Sequence, residues 1–401
     1  MKTARVPVAD LPADLPAELA PARKLKVAVL SRVFSRTGGG AEAYSIAVVE
    51  HLAASHEVHV FAQEIAHQHD GVQYHRVSSP GKRPRWLNQL WFAIATWHAT
   101  RRGFDVVHSH ENTWHGQIQT IHVRPLRSNV LGERTGWRRA AAWLKIALSP
   151  RLLTYVGLEA ARCAPQPNRH IAVASNSLGR EVAAMYPHAQ RMMTVIAPGV
   201  APALSPLPNA HDAKAAFGIA PDKQVLLFVA NDYARKGLDA LLKALAQLPP
   251  QATLLVVGQS GAKAAYADKA LALGLRERVV FAGPLQAMGP AYAAADVLVH
   301  PTLEDSFGMV VLEAMAHGVP VVVSGPAYCG AADLLTHEVN ALLLHDPKDD
   351  GELAQHVTRV LCDADFAATL AKNGKRLAAE HSWQAVADRY AQLYLQVCNS
   401  K

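Results

Sequence analysis

The sequence predicts an α/β protein of two Rossmann-like domains, each a parallel sheet covered by helices on both faces. Three observations predict it. Short β-branched apolar runs alternate with amphipathic stretches from end to end, and that alternation implies parallel strands joined by crossover helices. The 401 residues are too many for one ordinary core and suit two domains. A Pro-rich segment, residues 198–208, divides the chain near its middle and reads as a linker.

The strand-like runs of the first half are "LKVAVLS", "EVHVFAQ", "DVVHSH", "IQTIHV", "RHIAVAS" and "MMTVIAP". Those of the second are "QVLLFVAND", "TLLVVGQ", "RVVFAGP", "DVLVHPT", "VPVVVSG" and "ALLLHDP". Helical patterns between them include "AEAYSIAVVEHLAAS", "RKGLDALLKALAQLP" and "GELAQHVTRVLCDA". The expected boundaries are a tail over 1–23, a first domain over 24–200, a linker over 201–211, a second domain over 212–381 and a last helix over 382–401. That helix, "SWQAVADRYAQLYLQV", follows a complete second half and is expected to return to the first domain. Ligands of open α/β sheets bind at the carboxyl ends of the strands, so a cleft between two such edges is the expected site.

Half the residues are apolar and 18% are charged, which excludes a disordered chain. The longest apolar stretch, "AAAWLKIALSPRLLTYVGL", is interrupted by Lys145, Pro150 and Arg151 and falls short of the ~20 apolar residues a membrane-crossing helix needs. The first 24 residues are Pro/Ala-rich and lack the apolar core of a signal peptide, so a cytoplasmic location is expected. Cys163, Cys329, Cys362 and Cys398 are widely spaced and read as free thiols. Charge is uneven: residues 1–200 carry 24 Lys/Arg against 13 Asp/Glu, and residues 201–401 carry 16 against 20. A basic first half suits an anionic partner. No nucleic-acid module signature is found, so the expected partner is an anionic membrane surface or acceptor, with no nucleic acid.

Three constellations carry chemistry. "SRTGGGAEAYSIAVVEHL" puts Gly38, Gly39 and Gly40 between the first strand and a helix, where bare amides and the helix start favour a phosphate. A triple glycine is a weak signal, as compatible with a plain turn, and it is not the dinucleotide fingerprint. In "LLFVANDYARKGLDALLKAL", Arg235 and Lys236 stand at the expected start of a helix, against the dipole preference for acids there. An anion such as a diphosphate would offset that clash. In "LEDSFGMVVLEAM", Asp305 precedes a helix that Ser306 is expected to cap, leaving the amides of Gly308, Met309 and Val310 for a ligand. Glu313 lies about two turns further on among apolar neighbours, and paired hydroxyls are good partners for both acids.

"EDSFGMVVLEAMAHGVPVVVS" strongly resembles the Glu-x7-Glu signature of glycosyltransferase family 4, retaining enzymes of the GT-B fold. "NDYARKGLDALLKAL", "LLVVGQ" and "AAADVLVHPT" look like the branch that holds the bacterial lipopolysaccharide core glucosyltransferases. The resemblance runs from about Lys24 to the final helix and is looser before Arg169. It implies two Rossmann-like domains facing across a cleft, a nucleotide diphosphate sugar as donor substrate, UDP-linked by preference, and no metal or other cofactor. Asp305 takes the first acidic position, which contacts the donor sugar, and Glu313 the second, which contacts the ribose. Arg235 and Lys236 match the pair that binds the diphosphate. Gly39 and Gly40 match the loop beneath the phosphates, and the backbone near Pro284 and Leu285 sits where the base is held. The first acid is usually Glu; Asp305 is shorter by one methylene, which opens the sugar preference.

"DVVHSHENTWHGQIQTIHVRP" places His108, His110 and His122 at two strand ends. His122 resembles the family's Thr-x-His histidine near the donor sugar. His110 and His115 read as structural, and Glu111 is a further candidate near the acceptor. "CDADF" has the Asp-x-Asp spacing of a metal site, but Asp363 and Asp365 follow no strand and read as a helix cap. The resemblance thus implies transfer of a hexose such as glucose to a lipopolysaccharide core or related lipid-linked glycan at the inner membrane face. The alternatives are an epimerase or phosphorylase of the same fold, a mannosyltransferase using a GDP-sugar, a non-catalytic binding protein, and a nicotinamide dehydrogenase, which the missing fingerprint disfavours.

Overall fold

The computed structural model describes residues 24–36, 39–81, 84–132, 134–203 and 207–399. The expected tail, Gly38 and residues 204–206 of the linker lie outside them. The chain forms two compact units, one running to Pro198 and resuming at Trp383, the other spanning Gly199–Ser382.

The first unit holds seven parallel strands, β1 (Lys26–Leu30), β2 (Glu57–Ala62), β3 (Val72–Arg76), β4 (Val106–Ser109), β5 (Ile118–Ile121), β6 (His170–Val173) and β7 (Met193–Val195), in the order β3-β2-β1-β4-β5-β6-β7. Six of them are the expected runs. The seventh, β3, is an edge strand of sequence "VQYHR" whose side chains are all half-buried or exposed. It has no apolar run to announce it, because an edge strand whose side chains are only partly covered needs none. A short pair, Val33–Phe34 with Glu64–Ile65, adds a small second sheet.

Helix α1 (Gly40–Leu52) buries Tyr44, Ile46, Val48, Val49 and Leu52. It packs against the last helix of the chain, Trp383–Asn399, which belongs to this unit as expected. That helix brings two tyrosines into the interior, and a chain of hydroxyls satisfies them. The hydroxyls of Tyr44 and Tyr390 are 2.9 Å apart, and Tyr390 meets Thr120 Oγ1 at 2.8 Å. His108 bonds Thr120 Oγ1 and the Tyr394 hydroxyl, each at 2.7 Å. Burial pushes the His108 imidazole down to about 3, so it serves this chain as a neutral ring.

Three further helices, α2 (Arg85–Thr100), α3 (Gly136–Leu148) and α4 (Pro150–Cys163), leave large apolar side chains in solvent. On α3 these are Trp137, Leu144 and Leu148, 77%, 60% and 74% exposed, while Ala142 and Ile146 face the interior. On α2 they are Leu87, Trp91, Ile94 and Trp97. Arg138, Arg139 and Lys145 stand exposed on α3 beside them, and Arg151 on α4.

The second unit holds six parallel strands, β8 (Gln224–Val229), β9 (Ala252–Val257), β10 (Val279–Gly283), β11 (Val297–His300), β12 (Val321–Ser324) and β13 (Leu342–Leu344), all expected. Their order is β10-β9-β8-β11-β12-β13. Leu226, Phe228, Leu254, Val256 and Val299 from the sheet form one core with Leu241 and Leu245 of α5 (Leu238–Gln247). In both sheets strand order reverses beside the first strand, at β1/β4 and at β8/β11. An α/β sheet opens its ligand crevice at the carboxyl ends of that pair. Asp363 stands between the helices Asp350–Cys362 and Ala364–Glu380 and caps the second, accepting from Phe366 N at 2.9 Å, as its position suggested.

Candidate active site

The β8/β11 reversal brings two loops together. Gly237 holds a positive φ of 83°, and a Cβ there would stand 1.9 Å from the Pro301 carbonyl oxygen. Only glycine lets the loop after β8 approach the loop after β11 so closely. Backbone hydrogen bonds close the seam, with Leu303 N donating to Arg235 O at 2.9 Å. Lys236 is thereby delivered to Asp305. Its ammonium donates to Asp305 Oδ2 at 2.5 Å and to Glu304 O at 3.3 Å.

Asp305 is fixed on every side. Its backbone N–H donates to Tyr328 O at 2.7 Å, and its carbonyl accepts from Gly330 N at 3.1 Å. Oδ1 accepts from Phe307 N at 3.3 Å. Oδ2 meets not only Lys236 but His300 Nε2 at 3.0 Å. Burial pushes the Asp305 carboxyl up, but the His300 hydrogen bond and the Lys236 charge outweigh it and hold the group well below the usual carboxylate range. A carboxylate offers about four acceptor sites, so one remains for a ligand. Sequence reasoning read "DVLVHPT" as a strand end and missed His300; its signal was a histidine closing a strand four residues before the acidic loop.

Arg235 behaves differently from Lys236. Its guanidinium is half-exposed and pairs with Asp232 at 3.3 Å. Neither cation lies inside the helix: α5 begins at Leu238, with Gly237 as its N-cap. The expected clash with the dipole is therefore relieved by a turn, and Asp239 takes the first-turn position.

Helix α7 (Met309–Ala316), which follows the short helix α6 (Gly289–Ala294), corrects the expected cap. Its N-cap is Gly308, left-handed at φ 93°, and no side chain caps it, so Ser306 does not take that role. A Cβ on Gly308 would stand 2.9 Å from Cys329 Sγ, and that crowding, with the positive φ, explains the glycine. The start of the helix, Met309 and Val310, is half-buried. Glu313 lies further along, and Tyr292 of α6 donates to its Oε2 at 2.7 Å. Burial raises the Glu313 carboxyl, and Tyr292 and His317 offset that only in part. Tyr292 was not singled out in "AYAAADV", where it reads as a core aromatic. Leu285 follows β10, two strands away from β8 at the sheet edge, and is half-buried.

In the first unit the β1/β4 reversal gathers another polar set. Gly39 is the N-cap of α1 in extended backbone, with a φ of 178°, and Gly40 is the first helical residue. A Cβ on Gly39 would stand 3.2 Å from Glu42 Oε2. Glu111 follows β4, and its Oε1 accepts from Arg32 N at 3.0 Å. Burial raises the Glu111 carboxyl, with Arg32 opposing. His122 follows β5, and its Nε2 lies 2.9 Å from His110 Nδ1, the two rings stacked. Burial, reinforced by the nearby Arg162 charge, pushes His122 down to about 3. The pair is neutral at physiological pH, and His122 can exchange a hydrogen bond with a hydroxyl but carries no charge. His115, expected to be structural, is pushed down to about 4 by burial and Arg169.

These features, two doubly wound parallel sheets and a carboxylate–ammonium pair at a strand-order reversal, define an α/β protein with a polar candidate site at the carboxyl edge of its second sheet. Profiles of two families match, "Glycosyltransferase Family 4" over residues 38–204 and "Glycosyl transferases group 1" over 210–377. The chain belongs to glycosyltransferase family 4 and has the GT-B fold. A glycosyltransferase of Methanocaldococcus jannaschii, MJ1607, uncharacterized, is 31% identical over 229 residues, 55% of this chain and 58% of that one. The lipopolysaccharide glucosyltransferase WaaG of Escherichia coli K12 is 30% identical over 182 residues, 44% and 47% of the two chains. The chain spans about half the length of the curated relatives it matches. The crystal structure of WaaG, a glycosyltransferase involved in lipopolysaccharide biosynthesis, superposes with a TM-score of 0.76 at 21% identity, covering 91% of this chain and 98% of that one.

Proposed function

We propose that this chain is a retaining glycosyltransferase that moves a hexose, glucose by preference, from a UDP-sugar to a lipopolysaccharide core or related lipid-linked glycan. The observation that carries the reading is the Lys236–Asp305 contact at the β8/β11 reversal, with Glu313 on the helix that follows. Lys236 and Arg235 meet the diphosphate, where charge builds as the leaving group departs, and fixed cations there favour the transition state. Asp305 takes a sugar hydroxyl at its remaining acceptor site. Glu313 takes the ribose diol through the oxygen that Tyr292 leaves open. Leu285 lies along the base, and the amides of Gly308, Met309 and Val310 along the sugar. In the first unit, the family resemblance gives Gly39 and Gly40 to the phosphate loop and His122 to the sugar. In a front-face substitution the bond from the anomeric carbon to the phosphate oxygen breaks. The acceptor oxygen bonds that carbon on the same face, and its proton passes to the leaving phosphate.

The acceptor reading is supported by the relative WaaG and by the exposed apolar face of α2, α3 and α4 among Arg138, Arg139, Lys145 and Arg151. Amphipathic faces with aromatic and basic side chains lie in the interface of anionic membranes. Among the described residues no helix is long and apolar enough to cross one. Attachment at the inner face of the cytoplasmic membrane is the location this implies.

The test is turnover of UDP-glucose, UDP-galactose and GDP-mannose with and without extracted lipid-linked core glycan, with the anomeric configuration of the product read by NMR. Acceptor-dependent UDP release with retained configuration is expected. Epimerised nucleotide sugar formed without acceptor, or inversion at the anomeric carbon, would overturn the reading.

A further inference from the structure

His300 is 1% exposed at the end of β11, and its Nε2 meets the same Asp305 oxygen that Lys236 holds. A buried imidazole in that position needs a reason beyond packing, since burial pushes it toward the neutral form against the pull of Asp305. The proton is assigned by elimination. Nδ1 is buried with no hydrogen-bond partner among the described residues, and ionised Asp305 can only accept. The ring is therefore neutral with its hydrogen on Nε2, donating to Oδ2, as a histidine tautomer is set by the bond it makes. The ring is also hemmed in. A Cβ on Gly308 would stand 3.5 Å from His300 Nε2 and 3.4 Å from Asp305 Oδ2, so the helix start closes over the contact.

Oδ2 thus divides between a fixed donor and a mobile one. His300 is held by the strand, whereas Lys236 reaches along a flexible stem. Of the three ammonium hydrogens, one goes to Oδ2 and one to Glu304 O, which leaves one for a ligand. We propose that His300 is the positioning residue of the diphosphate site. It pins Asp305 Oδ2 and so fixes where Lys236 presents that remaining hydrogen. This rests on the reading that the chain turns over a nucleotide sugar at this edge. Without the His300 donor, Oδ2 has Lys236 as its one side-chain partner among the described residues, and the ammonium is drawn inward, away from the developing charge. The loss then falls on the transition state and spares ground-state donor binding.

The experiment compares His300→Leu, which keeps bulk without a donor, with His300→Gln, whose amide nitrogen can stand near Nε2. For UDP-glucose the Leu variant is expected to lose about 10-fold or more in kcat, the size of one hydrogen bond to a charged group, with KM and UDP affinity within about threefold. The Gln variant is expected to recover most of kcat at the same melting temperature as Leu. Equal kcat in the Leu and Gln variants, or a loss confined to KM, would overturn the role. If His300→Leu does not fold, a Gln variant that folds with kcat as low as His300→Ala overturns it too. A wild-type chain inert toward every nucleotide sugar sinks the proposed function instead. Nitrogen NMR of the histidine rings then reads the geometry directly. The Nε2–H tautomer, with a signal that moves in Asp305→Asn, upholds the pinning contact, and an Nδ1–H tautomer overturns it.

Discussion

The Tyr292 hydroxyl donates to Glu313 Oε2 at 2.7 Å, so the second acid of the signature is oriented by a residue on a different helix. Glu313 is half-buried with a raised carboxyl pKa. A carboxyl raised on folding stabilises the fold below its unfolded pKa and loses that contribution as pH rises through the folded value. At neutral pH the ionised Glu313 therefore costs stability, a cost the proposed contact with a donor diol would account for. Glu313→Gln is expected to leave the melting temperature unchanged or higher at pH 7.5 while weakening UDP-glucose KM by about tenfold, a charged hydrogen bond's worth. Tyr292→Phe removes the group that lowers the Glu313 pKa, so its KM defect should deepen as pH falls from 8 to 6. A KM ratio to wild type that stays flat over that range would show that Tyr292 does not tune the acid.

Lys236 couples function to stability. Lys236 and Asp305 side chains are 14% and 18% exposed, and removing one partner of such a buried pair costs about 3 kcal/mol because the other charge is left behind. Lys236→Ala should therefore lose turnover and stability together. Lys236→Ala in an Asp305→Asn background should recover most of the stability and none of the turnover, with a coupling energy of about 1–3 kcal/mol in denaturant unfolding. Asp305, held below its ordinary pKa, contributes stability above about pH 4 that is lost as pH falls toward its folded value. Wild type should lose stability faster than Asp305→Asn as pH drops from 5 to 3. Additive single-variant effects would remove the pair from this account.

The fold was legible because buried parallel strands must be apolar on both faces, and twelve runs announced themselves. The strand Val72–Arg76 did not, since an edge strand whose side chains are only half-buried or exposed obeys no such constraint. Spacing and family resemblance singled out Asp305, Glu313 and Lys236, and the structure brings Lys236 onto Asp305. Their partners were not. Tyr292 reaches Glu313 from another helix, and its local sequence does not distinguish it from a core aromatic; His300 reaches Asp305 from the strand end just before the acidic loop, where the only signal was a histidine closing the strand. The Ser306 cap failed for a related reason. Crowding between Gly308 and Cys329, distant in sequence, set the backbone at the helix start, and tertiary contact overrode a local preference.

Charge at the diphosphate is supplied in this account by Arg235, Lys236 and helix-start amides, not by a divalent ion. Donor turnover is expected to persist unchanged in excess EDTA and to respond less than about twofold to added magnesium, whereas Arg235→Ala combined with Lys236→Ala should abolish it. A tenfold dependence on magnesium would require a metal ligand set and would contradict the cation assignment.

The apolar face of α3 makes the membrane reading testable apart from catalysis. Trp137, Leu144 and Leu148 fall at spacings of seven and four on one stripe, and the inward residues Ala142 and Ile146 fall on another. An exposed apolar stripe on a helix that already buries its other face marks a candidate interaction surface. Because the outer stripe is exposed, Leu144→Glu with Leu148→Glu should change stability by no more than about 0.5 kcal/mol per site. It should leave turnover of UDP-glucose in solution unchanged. Binding to vesicles containing phosphatidylglycerol should fall by at least about tenfold, since each substitution removes apolar burial and adds charge repelled by the anionic surface. Arg138→Gln with Arg139→Gln should weaken the same binding by about 1 kcal/mol per charge removed, and that loss should shrink as salt is raised. Phosphatidylcholine vesicles separate the two contributions: the glutamate variant should lose whatever neutral-vesicle binding wild type shows, and the glutamine variant should keep it. Wild-type binding to phosphatidylglycerol vesicles that neither pair of substitutions alters would place the membrane contact, and with it the route to a lipid-linked acceptor, on some other surface of the chain.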